Sequence, residues 1–244
     1  VWYEEDKIPH TTLPTSAYFR GPEVVLMRRS WDKPNAPFIG FKGGLKQADH
    51  GHLDLGSFVL DALCERWALD LGRDDYDLPG YFDKTKDGGR WKVFRLNNKS
   101  HNTLTLNDDL QHAAAVAPVI KTSFAKDQHY AIADLTSAYQ PHAKKVLRGI
   151  ALRKDDTVIV QDEIEWAGDQ KQLVWQLVTD ADIEISTDGA KAVLQKNGKS
   201  MTARIVSPVG ALFEIASVSQ QPPQNPNEGL RQLVVNHVET RKQS

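Results

Sequence analysis

The sequence predicts an all-β fold, a large antiparallel β-sandwich with a few short helical turns. Short runs of β-branched, aromatic and other apolar residues recur along the 244 residues of the chain, and such runs are typical of strands. Turn sequences such as Asp188-Gly189 and Asn197-Gly198 separate several of them, which favours hairpins between neighbouring strands. Few stretches have the length and period of a helix, so helical layers are not expected.

The predicted strands follow one another in two groups. The first group comprises 24–27, 38–41, 57–63 and 66–71. The second group comprises 119–124, 129–133, 146–152, 157–160, 172–178, 211–215 and 232–238. Between the groups, the alanines at 113–115 predict a short helical turn within 112–119. Within the second group, the Pro-rich run 220–227 predicts an exposed loop. Because the sequence shows neither a repeat nor a domain boundary, we expect one β-sandwich domain over residues 1–244.

Composition and charge argue against two classes of partner. The hydrophobic fraction of 40% and the charged fraction of 25% are those of an ordinary globular protein. The net charge is −2, which gives no basic footprint for a nucleic acid. No apolar run approaches the roughly 20 residues that span a bilayer. We therefore expect neither a nucleic-acid partner nor a membrane partner.

The single cysteine and the first residues give two smaller expectations. Cys64 is the only cysteine, so an internal disulfide is excluded, and we expect a small buried residue at or near a turn. The chain begins with Val1 rather than Met, and the residues that follow are acidic and polar, unlike a secretory leader. These features predict a fragment or a processed product.

Two histidines and one aspartate suit a divalent metal. His52, Asp70 and His101 lie in apolar, β-type sequence, where an uncompensated carboxylate is costly to bury. A bound cation removes that cost, and two imidazoles with one carboxylate suffice for Zn²⁺. The pattern therefore predicts a zinc site, although scattered histidines and aspartates also serve structural or surface roles.

The spacing of these ligands requires a local irregularity. If residues 64–65 form a two-residue hairpin turn, Asp70 falls on the odd-numbered face of the preceding strand. A regular strand would then place His52 on the opposite face, because successive side chains alternate. We therefore expect a β-bulge near Gly56 or an irregular loop through residues 49–54.

A second metal chemistry uses overlapping residues. His52, Asp54 and His101 match the two-histidine, one-carboxylate set of non-haem iron oxygenases. These enzymes usually also place a basic residue soon after the distal histidine, to hold an acidic co-substrate. No Arg or Lys follows His101 until Lys121, which weakens the oxygenase alternative.

Three runs, taken in order, resemble the C-terminal domain of the heparinase II/III-like polysaccharide lyases. The runs are His50-Gly51-His52-Leu53-Asp54-Leu55-Gly56-Ser57-Phe58, Arg66-Trp67-Ala68-Leu69-Asp70-Leu71-Gly72 and His101-Asn102-Thr103-Leu104. Supporting matches are Asp134-Leu135-Thr136-Ser137-Ala138-Tyr139 and Gln161-Asp162-Glu163. The resemblance covers most of the chain and is clearest over residues 41–165.

The resemblance implies a β-sandwich that holds Zn²⁺ through His52, Asp70 and His101, with His50 pointing into a substrate cleft. The family cleaves anionic, uronate-containing polysaccharides by β-elimination. Its cleft lies between this sandwich and a preceding α/α toroid, which supplies most of the proton-transfer residues. The toroid is not part of these 244 residues, so we expect the isolated chain to bind zinc with little or no activity. The resemblance also implies a periplasmic or secreted protein, and an oligomer is possible.

Further residues are candidates for contact with such a substrate. His50 is the candidate catalytic imidazole, with an additional or alternative metal ligand as the competing interpretation. Tyr76 and Tyr81 follow Asp70 closely and are candidates for the cleft. There a tyrosine ring could stack on a sugar and its phenol could act as an acid, although loop tyrosines are often packing residues.

Three arginines are candidates for binding an anionic glycan, or are ordinary surface residues: Arg66, Arg90 and Arg95. Five histidines are expected to be solvated or structural: His10, His112, His129, His142 and His237. A non-catalytic carbohydrate-binding or structural sandwich stays open as an alternative.

Overall fold

The computed structural model describes residues 12–45 and 50–238, and within these ranges the chain is all-β, as predicted. All the strand pairings are antiparallel, and the helical segments are single 3-10 turns. No helix in the described ranges has the length and apolar content needed to cross a bilayer. His10 and the first residue of the expected irregular loop 49–54 lie outside the described residues.

The N-terminal sheet has five strands in the order β1-β2-β3-β5-β6. Its strands are β1 (Ser16–Phe19), β2 (Val24–Arg28), β3 (Phe38–Lys42), β5 (Phe58–Ala62) and β6 (Glu65–Ala68). A separate two-stranded pair joins β4 (Gly44–Leu45) to β8 (Val116–Ala117). Buried and partly exposed residues alternate along β2 and β3, which is the pattern of strands with one face on the core.

Two further sheets of four strands complete most of the fold. The first has the order β12-β11-β10-β9, with β9 (Val119–Ala125), β10 (Gln128–Asp134), β11 (Ala143–Arg153) and β12 (Val158–Trp166). The second has the order β17-β18-β13-β7, with β7 (Leu104–Leu106), β13 (Gln172–Thr179), β17 (Phe213–Ser217) and β18 (Arg231–Val238). A three-stranded sheet follows β13 and consists of β14 (Asp182–Ile185), β15 (Lys191–Lys196) and β16 (Lys199–Arg204).

One buried cluster of apolar side chains connects the larger sheets. Met27 and Phe41 come from the five-stranded sheet, Ile150 from β11, Leu177 from β13 and Leu194 from β15. Each of these side chains is at most 4% exposed, so the sheets present one face each to a shared interior. Burial of apolar area of this kind is the main favourable contribution to folding.

Several local predictions need correction. The two-residue turn between β5 and β6 consists of Leu63 and Cys64, because Ala62 pairs with Glu65. Both turn residues have positive φ, 57° and 61°, as a type I′ turn requires. Cys64 is therefore exposed at the tip of the hairpin, whereas the sequence analysis expected a buried residue. The predicted helical turn within 112–119 is a plain turn that leads into β8.

Two irregular segments carry the predicted site residues. The segment 50–57 precedes β5 without regular structure, as the ligand spacing required, and the register shift in this region lies between Leu60 and Asp61 of β5 rather than near Gly56. The segment 69–103 connects β6 to β7 and contains three 3-10 turns, Gly89–Lys92, Phe94–Leu96 and Asn98–Ser100.

Candidate metal centre and surrounding cleft

The two irregular segments bring the predicted metal ligands together. His101 Nδ1 lies 3.2 Å from Asp70 Oδ2, and the ring centres of His52 and His101 are 5.3 Å apart. Asp54 also joins the group, because ligand atoms of Asp54, Asp70 and His101 all lie within 4.8 Å of one another. The structure thus adds Asp54, which the sequence analysis named only for the oxygenase alternative, to the predicted zinc set as a second carboxylate.

The donor set fits a divalent cation. His101 is fully buried, and its Nε2 has no hydrogen-bond partner among the described residues, an arrangement that costs free energy unless a further group binds. The other ring nitrogen, His101 Nδ1, lies 3.2 Å from Asp70 Oδ2, which is about the separation of two ligand atoms on one tetrahedral zinc ion. Nε2 by itself and Nδ1 together with Asp70 are thus two alternative positions for a cation at His101. Imidazoles and carboxylates are ordinary zinc ligands, so these residues suit the implied Zn²⁺.

The protonation of the cluster also favours metal binding. Burial lowers the pKa of His52 to about 4, and the nearby charge of His101 acts in the same direction. The His52 imidazole is therefore neutral near pH 7, which is the form that binds metals. Partial burial opposes ionisation of Asp70, but the hydrogen bond and charge of His101 outweigh it and hold the pKa of Asp70 well below its ordinary value.

Side-chain amides hold the backbone around His101. Asn102 Nδ2 donates to the carbonyls of Phe58 (2.7 Å) and Leu69 (2.8 Å), and its Oδ1 accepts from the backbone N–H of Val178 (2.6 Å). Gln176 Nε2 donates to the carbonyl of His101 at 2.9 Å. The sequence analysis did not single out either amide, although Asn102 directly follows His101 in the run that carries the resemblance.

Arg90 holds the segment that carries His50 and His52. Its guanidinium is buried, and it donates to the carbonyls of Gly51 (3.0 Å) and Tyr81 (2.9 Å). In the same segment, Asp54 Oδ2 lies 2.5 Å from Lys42 Nζ. Arg90 is therefore a positioning residue in this structure, and its predicted contact with glycan stays a prediction.

An aromatic cluster lies next to His50. His50 is exposed with φ of 62°, and its ring centre is 6.4 Å from that of Tyr76. Tyr76 is 40% exposed, whereas Tyr81, whose ring centre is 5.0 Å from that of Tyr76, is 2% exposed. Burial raises the pKa of the Tyr81 phenol. Tyr76 and the exposed Phe82, which the sequence analysis missed, are therefore the accessible rings here.

The other two predicted arginines occupy different environments. Arg66 Nε and Nη2 bind both carboxylate oxygens of Asp61 at 2.6 and 3.0 Å on the exposed β5–β6 hairpin. Arg95 is partly buried, and its Nε donates to Asn227 Oδ1 at 2.8 Å. Burial lowers the pKa of Arg95 from its ordinary value, so this guanidinium lies in a less polar setting than that of Arg66.

Three of the remaining histidines make hydrogen bonds away from the candidate metal centre. His129 Nδ1 lies 2.5 Å from Ser16 Oγ, His142 Nε2 lies 3.0 Å from Asp109 Oδ2, and His112 Nδ1 accepts from the backbone of Ala114. The solvated or structural roles expected of these histidines stay a prediction.

Comparison with known proteins shows the family of this chain. The model of the heparinase II/III-like, C-terminal family matches residues 37–230, and the chain belongs to this family. No curated protein gives a significant match.

Solved structures share the fold. Heparan sulfate lyase HepC from Pedobacter heparinus has a TM-score of 0.74 and 15% identity, over 92% of this chain and 34% of that chain. The heparinase III product of BT4657 has a TM-score of 0.73 and 16% identity, over 93% of this chain and 34% of that chain. A further heparinase III has a TM-score of 0.71 and 11% identity, over 93% and 35%. The chain spans about a third of the length of these proteins.

Proposed function

We propose that this chain is the zinc-carrying β-sandwich domain of a polysaccharide lyase that cleaves uronate-containing anionic glycans by β-elimination. The observation that carries the proposal is the position of exposed His50. It lies two residues from His52, beside the His52, Asp70 and His101 cluster, in a chain of the heparinase II/III-like family. The solved heparinases and heparan sulfate lyase share the fold, and they support the class of substrate without naming the sugar.

The reaction defines what the exposed residues have to do. β-Elimination removes the weakly acidic C5 proton of a uronate, so the adjacent carboxylate must be neutralised while the enolate forms. A base accepts the proton, and an acid protonates the departing O4 oxygen. The His50 imidazole serves as the base or assists in neutralisation, and the exposed Tyr76 stacks against sugar or supplies a phenolic proton. Buried Tyr81 packs beneath Tyr76 and keeps its ring in place.

The zinc is proposed to be structural. Zn²⁺ held by these residues would link the segment 50–57, which has no regular structure, to the segment 69–103, whose regular structure consists of three 3-10 turns. Arg90, Asn102 and Gln176 hold the same segments through carbonyl groups, as is usual for residues that surround metal ligands. The exposed His50 is then presented at a defined position.

The complete protein is proposed to contain an N-terminal helical toroid as partner of this domain. This proposal is supported by the length of the structural relatives, because this chain spans only about a third of each of them. The toroid supplies the other proton-transfer residues, and the cleft lies between the two parts. We further propose a periplasmic or secreted location, where anionic polysaccharide is available.

Two substitutions in the complete protein test the proposal. His50→Asn keeps a residue that tolerates positive φ, so we expect zinc content to be unchanged and the release of unsaturated uronate, followed by its ultraviolet absorbance, to fall strongly. His52→Asn should instead lower the zinc content. A complete protein that forms no unsaturated product from any uronate-containing glycan would show that it is not a lyase.

Two alternatives make different predictions for the same experiments. A non-catalytic carbohydrate-binding sandwich would keep its glycan affinity after His50→Asn and would form no product. A non-haem iron oxygenase is favoured only by the presence of Asp54 beside His101. Elemental analysis separates it from the lyase, because the oxygenase would contain redox-active iron and the lyase one equivalent of zinc.

A further inference from the structure

A groove of about 680 Å³ lies beside the candidate metal centre. One wall is the segment 71–75, which directly follows Asp70, and the opposite wall is the loop 223–226. Hydrogen bonds fix the two walls against each other. Asp74 accepts from the backbone N–H of Asn225 at 3.2 Å, and Gln224 Oε1 accepts from the backbone N–H of Phe94 at 2.7 Å. Hydrogen bonds within the fold therefore hold the shape of the groove.

Arg95 presents a fixed positive charge at this groove. Its Nε donates to Asn227 Oδ1 at 2.8 Å, and its Nη1 donates to the carbonyls of Leu71 and Arg73, both at 3.2 Å. Nη2 has no hydrogen-bond partner among the described residues. The orientation of the guanidinium is thus set, while two of its N–H groups are left to bind a ligand.

Arg73 places a second guanidinium between the groove and His50. Arg73 is exposed, and its Nη1 donates a long hydrogen bond, 3.3 Å, to the carbonyl of Asp74. Its guanidinium carbon lies 4.8 Å from the ring centre of Tyr76, which in turn neighbours His50. The surface therefore continues from the groove through Arg73 and Tyr76 to His50.

Two carboxylates at the groove do not neutralise these arginines directly. Both oxygens of Asp74 accept from the backbone N–H of Asn225, and Asp74 Oδ1 also accepts from the N–H of Asp75 at 2.8 Å. Asp75 Oδ1 accepts from the N–H of Asp77 at 3.0 Å. Within the described ranges, neither carboxylate forms an ion pair with Arg73 or Arg95. The charge of Asp74 still acts on Arg95, but both guanidinium groups keep N–H groups that can bind an external anion.

We propose that the Arg73–Arg95 groove is a subsite that binds an anionic group of the glycan, a carboxylate or a sulfate, on a sugar beyond the one that reacts at His50. The inference rests on the proposed function, because that function supplies a polyanionic chain running past His50. The planar guanidinium forks match the oxygen geometry of both groups. The groove then sets how the chain lies along the domain and favours charged over neutral glycans.

Binding to the 244-residue chain, loaded with zinc, tests the subsite by calorimetry at low and high salt. The probes are a hexasaccharide of alternating glucuronate and N-acetylglucosamine, its N-sulfated form, and neutral cellohexaose. Arg73→Gln should weaken binding of the charged probes about three- to tenfold at low salt and less at high salt. Arg204→Gln, at an exposed arginine at the end of β16, is the matched control and should change nothing. If Arg73→Gln lowers the affinity for the N-sulfated hexasaccharide more than the affinity for the unsulfated one, the subsite binds sulfate. If it lowers both affinities equally, the subsite binds the uronate carboxylate.

A second measurement avoids dependence on one substitution. In protein with nitrogen-labelled arginine, the side-chain Nε–H resonances of Arg73 and Arg95 should shift during titration with a charged hexasaccharide. The resonance of Arg66, which is paired with Asp61, should not shift. Equal affinity of wild type and Arg73→Gln, unshifted resonances, or no binding by the wild type would each overturn the subsite. Such results leave the lyase proposal to its own test, product formation by the complete protein.

Discussion

Arg148 and Asp162 form a buried two-point ion pair across the neighbouring strands β11 and β12. Arg148 Nε and Nη2 lie 2.7 and 2.9 Å from the two carboxylate oxygens of Asp162. Arg148 Nη1 donates to the carbonyls of Gly56 and Asn102 at 3.0 and 2.9 Å. One guanidinium thus connects the sheet to both segments that carry the candidate metal ligands.

Breaking this pair should strongly destabilise the protein. Arg148→Met leaves the Asp162 carboxylate and two buried carbonyls without their partner, so we expect the free energy of unfolding to fall by about 3–5 kcal/mol. The matched control is Lys145→Met, which removes the exposed pair with Glu163 on the same two strands. It should cost less than about 1 kcal/mol. Urea unfolding measures both, and equal losses would contradict the argument.

Removal of the Asp70 carboxylate should weaken zinc binding. Asp70→Asn removes a charged ligand, and we expect the zinc affinity to fall by at least about 100-fold. Competition with a chromophoric chelator measures the affinity. Asp87→Asn, at an exposed aspartate of the same long segment, should leave the affinity unchanged. An unchanged affinity in Asp70→Asn would exclude Asp70 as a ligand.

Gly56 should be much less tolerant of substitution than Gly72. Both have positive φ, 79° and 64°, but an added Cβ at Gly56 would lie 2.5 Å from Leu135 Cδ1, whereas nothing lies within 4 Å at Gly72. Gly56→Ala should cost about 2–4 kcal/mol, from overpacking and the left-handed backbone. Gly72→Ala should cost about 1 kcal/mol from the backbone alone. Thermal and urea unfolding of the two variants should show this order, and the reverse order would refute the packing argument.

The buried His129 should contribute to loss of stability in acid. Burial lowers the pKa of His129 below its ordinary value of 6.5, and the charge of Arg29 acts in the same direction. The unfolded chain therefore binds more protons than the native protein at this site. The free energy of unfolding should consequently fall as the pH drops below about 6.5 towards the lower native pKa.

His129→Gln should reduce this pH dependence, because glutamine does not titrate and still offers a hydrogen bond to Ser16. Urea unfolding at several pH values from neutral to mildly acidic measures the difference. His112→Gln, at an exposed histidine, is the control and should follow the wild type. If His129→Gln also followed the wild type, His129 would not be the group responsible.

Much of the strand pattern could be predicted, because it depends on local alternation. The predictions at 24–27 and 38–41 correspond to β2 and β3, whose buried residues alternate with partly exposed ones. The strands β14 to β16 were missed, because Lys191–Lys196 and Lys199–Arg204 carry many charged and polar residues on an exposed face. The turn at Leu63 and Cys64 was placed one residue late, since only the pairing of Ala62 with Glu65 fixes its register.

The sequence by itself determined the all-β class and the family, and it predicted His52, Asp70 and His101 as one ligand group. These features are readable because alternation and short motifs are local properties of the chain. The sequence placed Asp54 with His52 and His101 only in the oxygenase alternative, and the tertiary structure is what brings Asp54 and Asp70 together at His101. Only the tertiary structure turned Arg90 inwards onto Gly51 and formed the groove at Arg95. Contacts such as that between Arg95 and Asn227 join residues 132 positions apart, and packing alone decides which distant segments meet.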